Sequence, residues 1–398
     1  MTRTAQPRPR PAGPGRPDDA GPGRPDDAGP GALDRLPAVV PDASLPAVPA
    51  VDRRADRTGT RRTARVPSPA LLLGALVLLV VSVVLAITIG PAQISPVDVW
   101  RSVAAHAGLG STPLPALRDA IVFDMRLPRV LTAGAVGAGL ALAGAVMQSL
   151  TRNPLADPYL LGLSSGASLG AVGVLVLGLG VVLPVAAFVG ATLALLATLA
   201  LAGSLGTTSP TRTVLAGLAV AQLCAAATSF VIFWSATGDS YREILSWLMG
   251  SLGGTTWTSV AIAGSALLLV GTALATAGGT LDAFAFGDTS AAALGVDVRR
   301  TRLLLLTGVA VLTGAMVAVS GSIGFVGLVL PHATRLLVGA RHRVLLPLSA
   351  LAGATFLIWA DTAARTIFDP RELPVGILTA VIGAPVFAWI LRRRRAVS

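Results

Sequence analysis

Few residues in this chain could do chemistry, and their spacing argues against each familiar reaction. The run Gly162-Leu163-Ser164-Ser165-Gly166 has the G-x-S-x-G form of a hydrolase elbow, and His332 is an available base. That motif works only at a sharp strand-to-helix turn with an acid behind the histidine. Here it opens a long apolar segment, so an intramembrane hydrolase built on Ser164 or Ser165 with His332 is set aside. Gly137-Ala138-Gly139 begins like a dinucleotide fingerprint, but Leu142 fills the third small position and no strand precedes it. The three histidines lie apart at His106, His332 and His342, the cysteine is Cys224 alone, and the glutamates are only Glu243 and Glu372. No metal cluster and no disulfide framework follow from such a set. All 31 basic residues are arginine, and the absence of lysine excludes a Walker A ATPase and a lysine Schiff base. No catalytic residue, metal or cofactor is assigned to this chain.

The elements that must carry these residues are apolar. The chain has 398 residues, 53% hydrophobic and 13% charged, with mean hydropathy +0.73, far from the roughly one quarter charged of soluble domains. Residues 1–65 hold 12 arginines, 8 acids and the octad GPGRPDDA twice. This composition cannot bury enough apolar surface to offset its ordering entropy, so 1–65 is read as a disordered tail. Its Asp18-Asp19 and Asp26-Asp27 pairs are read as solvated charges. Residues 66–398 are read as an all-α, polytopic membrane domain. Uncharged runs at 66–97, 130–151, 158–211, 213–238, 244–281, 303–334, 344–360 and 373–391 each approach or exceed the roughly 20 residues a helix needs to cross a bilayer. Two should fold back, at Gly178 to Pro184 and at Ser320-Gly321-Ser322, which gives about ten spans. The run after Arg61-Arg62 is too long for a cleavable leader and is read as an anchor.

An even number of spans puts both termini on one side, and arginine density identifies it as cytoplasmic. The predicted inner segments carry 18 arginines, including Arg53 to Arg65 and Arg392 to Arg395, against seven outside. The net charge of +11 is spread along loops, which suits topology in a cell membrane and not a nucleic-acid face. Glycine and alanine crowd the spans and permit close helix packing in lipid. Almost no ionisable group falls in mid-span, which disfavours an ion-coupled carrier; a self-sufficient secondary carrier or channel remains the alternative. The inner segment 282–302 offers a docking point for an external energy source. There Asp288 or Thr289 can cap a short helix through Ala291 to Leu294, which Gly295 ends.

Several motifs then match one family in order and spacing. They are Arg126-Leu-Pro-Arg129, Arg152-Asn153-Pro154 through Pro158, Ser164-Ser165-Gly166-Ala167, Trp247 to Ser251, Gly287 to Val296, Gly321 to His332 with Arg335, His342-Arg343, Asp361, Arg365, Glu372 to Gly376 and Gly383 to Pro385. From about residue 68 to 395 the chain resembles the FecCD-type permease subunits of type II ABC importers, which carry ferric siderophores, haem or cobalamin. The resemblance implies ten helices per subunit and a second permease subunit, as homodimer or heterodimer. It also implies two cytoplasmic ATPase subunits that bind ATP and Mg, and an extracellular substrate-binding protein. It further implies binding-protein docking at Arg126, Arg129 and Arg365, and ATPase coupling at Gly287, Asp288, Ala291, Leu294 and Gly295. Asn153, Pro154, Asp361 and Glu372 are motif positions, and Pro331, His332 and Arg335 serve either transmission or the helix end. The inner gate maps to Ser209 and Thr211, although Pro210 departs from the small polar residues expected there. The function implied is import of a ferric siderophore or related metal chelate, with no covalent chemistry.

Overall fold

A computed structural model of the protein describes residues 68–90, 92, 94–110, 114–178, 181–204, 210–235 and 238–395, so the tail read at 1–65 lies outside the described residues. These residues form helices, with no strand among them. In order they are α1 (Ser68–Thr88), α2 (Pro96–His106), α3 (Ala116–Ala120), α4 (Leu127–Leu150), α5 (Leu163–Leu177), α6 (Leu183–Ser204), α7 (Pro210–Ser235) and α8 (Gly238–Leu248). There follow α9 (Trp257–Ala266), α10 (Thr272–Thr276), α11 (Gly278–Ala285), α12 (Asp288–Ala293), α13 (Val298–Ser320), α14 (Val326–Val338), α15 (His342–Thr366) and α16 (Val375–Arg395). One π turn, Ile121–Arg126, joins α3 to α4, and another, Leu267–Gly271, joins α9 to α10. Seven helices are long and apolar enough to span a membrane, and three shorter apolar ones, in α5, α14 and α16, accompany them. The protein is a multi-pass membrane protein.

Both expected reversals occur where glycine and proline punctuate the apolar runs. Gly178 ends α5 at φ 62 and α6 restarts at Leu183. Gly321 ends α13 at φ 67 and α14 restarts at Val326.

The core is built around α4, most of whose residues are buried against α15, α13, α14 and α9. Its glycines let main chains touch. A Cβ at Gly137 would lie 2.2 Å from the Gly353 carbonyl oxygen of α15, and one at Gly144 would lie 1.9 Å from the Gly327 oxygen of α14. These are backbone clashes that no side-chain rotamer relieves. Gly144→Ala must therefore separate α4 from α14, and overpacking of this kind costs about 1–3 kcal/mol. The expected result is a lowered thermal unfolding temperature in detergent; an unchanged midpoint would contradict this packing.

The short helices α5 and α14 start from irregular backbone, and side chains satisfy it. Tyr159 donates its hydroxyl to the Ile323 carbonyl at 3.0 Å and accepts the Ile323 N–H at 3.2 Å. The hydroxyls of Ser164 and Ser322 meet at 2.8 Å. Non-helical backbone within a membrane domain persists only where protein groups complete its hydrogen bonds. The candidate nucleophile Ser164 is thereby a partner of Ser322 at the foot of α5.

Candidate functional site

The sequence-derived residues gather at two ends of the bundle. At the first end, the π turn before α4 presents Arg126, whose guanidinium donates to the carbonyls of Ile87 at 2.8 Å, Thr88 at 3.3 Å and Ala92 at 3.0 Å. Arg365, from the last turn of α15, donates to the Ala86 carbonyl. The last carbonyls of a helix have no partner within it and carry the negative end of its dipole. Two buried guanidiniums thus close the C-terminus of α1. Arg129 makes a bidentate pair with Asp361 of α15, Nε to Oδ2 at 2.8 Å and Nη2 to Oδ1 at 2.9 Å, and its Nη1 reaches Glu372 at 2.8 Å.

All three arginines and Glu372 line one cavity of about 740 Å3, with Asp124, Asp369 and Thr255. The structure therefore unites the arginines read as a docking set with Asp361 and Glu372, which the sequence named separately. Among the described residues neither Arg126 nor Arg365 has a carboxylate within ion-pair distance.

At the opposite end lies α12, and its start differs from the sequence expectation. Gly287, at φ 101, occupies the cap position, and no side chain caps the helix. Asp288 is the first helical residue, and its carboxylate takes Arg302 of α13 at 2.7 Å. The charge pair wins because it ties α12 to a long helix, whereas a cap would satisfy only its own first turn. Gly295, at φ 84, follows the helix as expected. Ala291 is buried, while Phe286 and Leu294 are 79% and 71% exposed. A Cβ at Gly287 would lie 3.2 Å from Nη1 of Arg152.

Beside this end, Asn153 turns the chain, its side chain accepting the Leu155 N–H at 3.0 Å, and Pro154 follows. Arg335 donates to the Gln148 amide oxygen at 3.0 Å, and the Gln148 amide donates to the Leu328 carbonyl at 3.0 Å. Pro331 and His332 are buried inside α14. Of the gate candidates, Ser209 lies outside the described residues, and Thr211 is exposed in the first turn of α7.

Residues 78–393 match the FecCD transport family. The chain belongs to that family. It is 44% identical over 326 residues to the uncharacterized ABC transporter permease protein YvrB of Bacillus subtilis (strain 168), covering 79% of this chain and 91% of that one. It is 42% identical to the cobalamin import system permease protein BtuC of Halobacterium salinarum, with 80% and 94% covered. With the hemin transport system permease protein HmuU of Yersinia pestis it shares 40% identity, over 82% and 97%. Among solved structures it resembles an inward-facing metal-chelate type ABC transporter at TM-score 0.72 and 34% identity, covering 82% of this chain and 99% of that one. The fold is that of an ABC importer permease.

In this FecCD protein the sequence reading missed a buried Ser-His-Asp line. His342 Nδ1 lies 2.6 Å from Asp282 Oδ1, and its Nε2 meets the Ser149 hydroxyl. Both Ser149 and His342 are buried, so no substrate carbonyl reaches the hydroxyl and the line is structural. No local signal marks it, since its members stand 193 and 60 residues apart.

Asp157, between α4 and α5, caps a 3-10 turn through the Tyr159 N–H at 2.8 Å. Burial pushes its carboxyl up to about 6, against the backbone N–H that pulls it down. A folded-state pKa above the unfolded value means that the fold favours the protonated acid, so stability falls as pH rises from about 4 through 6. Asp157→Asn keeps the acceptor and removes the charge. It should raise stability by about 1–3 kcal/mol at pH 8, with the gain shrinking towards pH 4, as read by thermal unfolding at both values.

Proposed function

We propose that this chain is the permease subunit of an ABC importer that moves a ferric siderophore or related metal chelate into the cytoplasm, driven by separate ATPase subunits. The observation that carries this reading is α12. It is a short helix fixed at its base by the Asp288–Arg302 pair and flanked by exposed Phe286 and Leu294. A small apolar knob on a rigid base is suited to a cleft in a soluble partner. The family supports the nature of that partner, because a chain without lysine cannot supply its own Walker A site. ATP and Mg would be held by the ATPase pair, whose closure would drive the permease between outward-facing and inward-facing states.

On this reading the α12 end and both termini face the cytoplasm, ten helices cross the cell membrane, and a second permease subunit completes the pathway. The arginine end faces outward. Arg126 and Arg365 line the cavity at this end, so carboxylates of an extracellular binding protein would meet them through its mouth, in addition to the carbonyls they already hold, and Arg129 with Glu372 shapes the rim. The motif residues Asn153 and Pro154 would then face the cytoplasmic half, and the inner gate is read at Ser209 and Thr211. The cargo class follows from relatives named for hemin and cobalamin import and a neighbour named for metal chelates. All of these are bulky metal-bearing organic ligands.

The test is uptake of a radioiron-loaded hydroxamate siderophore, of hemin and of cobalamin in cells lacking the chain and in cells given it back. Restored, ATP-dependent siderophore uptake is expected. Uptake by the lone chain in liposomes under a proton gradient would replace this reading with that of a secondary carrier.

A further inference from the structure

The segment carrying α12 is held to the bundle at a place that the reading of α12 as an ATPase contact does not use. In α11, a single carboxylate oxygen of Asp282 accepts both the backbone N–H of His342, at 3.0 Å, and its imidazole Nδ1, at 2.6 Å. Across the ring, Nε2 meets the Ser149 hydroxyl in the last turn of α4. The Ser149 hydroxyl also lies 3.0 Å from the Ala145 carbonyl. It can therefore donate to a neutral ring, or donate to Ala145 and accept from a doubly protonated one, so the line stays satisfied in either state. Main chain closes on it as well, since a Cβ at Gly278 would lie 3.2 Å from the Arg343 nitrogen. Three elements, α11, α15 and α4, thus meet on one imidazole.

The two long helices at this joint are joined again at their other ends by the Arg129–Asp361 pair, and Gly137 and Gly353 bring their backbones into contact between. Helix α4, with 24 residues, is about 36 Å long at 1.5 Å per residue. A helix pair fixed at both ends and touching in the middle moves as a strut, because packed interiors shift between discrete arrangements and do not deform smoothly.

We infer that His342 is a positioning residue for energy coupling: the Asp282–His342–Ser149 line fixes the α11–α12 segment to the α4–α15 strut, so that displacement of α12 moves the strut. Without the line, α12 stays tied to α13 through Asp288 and Arg302, and its displacement no longer reaches the strut.

The transporter is purified through a tag on this chain, with its copurifying ATPase, and reconstituted in liposomes with a ferric hydroxamate. Ser149→Ala and Asp282→Ala should keep ATP hydrolysis within twofold of the parent and lower chelate moved per ATP at least tenfold. Ser149→Thr and Asp282→Asn, which keep a hydroxyl and an acceptor oxygen, should restore the ratio. Amide hydrogen exchange over 286–295 in the purified full chain should quicken at least fivefold in the Ala variants alone. Should Asp282→Ala fail to fold, Ser149→Ala carries the test. Hydrolysis and transport falling together, or an unchanged ratio with unchanged exchange, overturns the inference. A parent assembly that moves no chelate defeats instead the function on which the inference rests.

Discussion

Replacing residues 288–295 with a Gly/Ser linker of equal length should reduce chelate uptake to background while the chain still inserts in the membrane. Most of α12 lies outside the core, with Ala291 its buried residue, so its loss removes little packing. What the linker removes is the knob. It deletes exposed Leu294, breaks the Asp288–Arg302 pair that orients the segment, and substitutes a random coil that transmits no displacement. ATPase copurification should fall with uptake. Asp288→Ala alone should do less, because Arg302 also lies over the Phe284 ring at 5.4 Å and keeps that contact. Full uptake by the linker chain would remove α12 from the mechanism.

The helical class and the two reversals were legible because they depend on local signals: uncharged runs of spanning length, and glycine or proline where each run breaks. The α12 segment was legible for the same reason, bracketed by Gly287 and Gly295. Its cap was misread because a carboxylate at a helix start has two possible partners, and the one it takes, Arg302, is fourteen residues away on another helix. The π turns at Ile121–Arg126 and Leu267–Gly271 had no sequence mark, since one extra residue per turn changes neither the composition nor the hydropathy of a segment. Distance in the chain also hid the pairing of Arg129 with Asp361 and Glu372, at separations of 232 and 243 residues. Motif resemblance supplied those residues singly, and only the fold shows that they share a site. Ser149, Asp282 and His342 lie scattered along the chain, and His342 stood out only as a motif position, with no partner until α4, α11 and α15 were seen to converge.

Asp361→Ala should be the most destabilising single substitution at the arginine end. Asp361 is 2% exposed and takes two hydrogen bonds from Arg129; its removal leaves a mostly buried guanidinium with Glu372 alone. Breaking a buried pair from one side costs about 3–5 kcal/mol, because the surviving charge stays desolvated. Glu372 is half exposed on its side chain, at 50%, and water can replace it, so Glu372→Gln should cost about 0–1 kcal/mol. The difference between these two variants tests burial, since both touch the same arginine at similar distance. Removing the charge from both sides, as Arg129→Met with Asp361→Leu, should recover most of the stability lost in Asp361→Ala, because apolar pairs of similar volume often replace buried ion pairs at little cost. Uptake should not recover with it, since the double variant no longer presents the Arg129 guanidinium beside Glu372 at the cavity. Thermal unfolding and uptake measured on the four chains separate these roles. Equal destabilisation by Asp361→Ala and Glu372→Gln would mean that the pair is solvated, and the clamp between α4 and α15 would then have to reside in the glycine contacts and the Ser149–His342 bond.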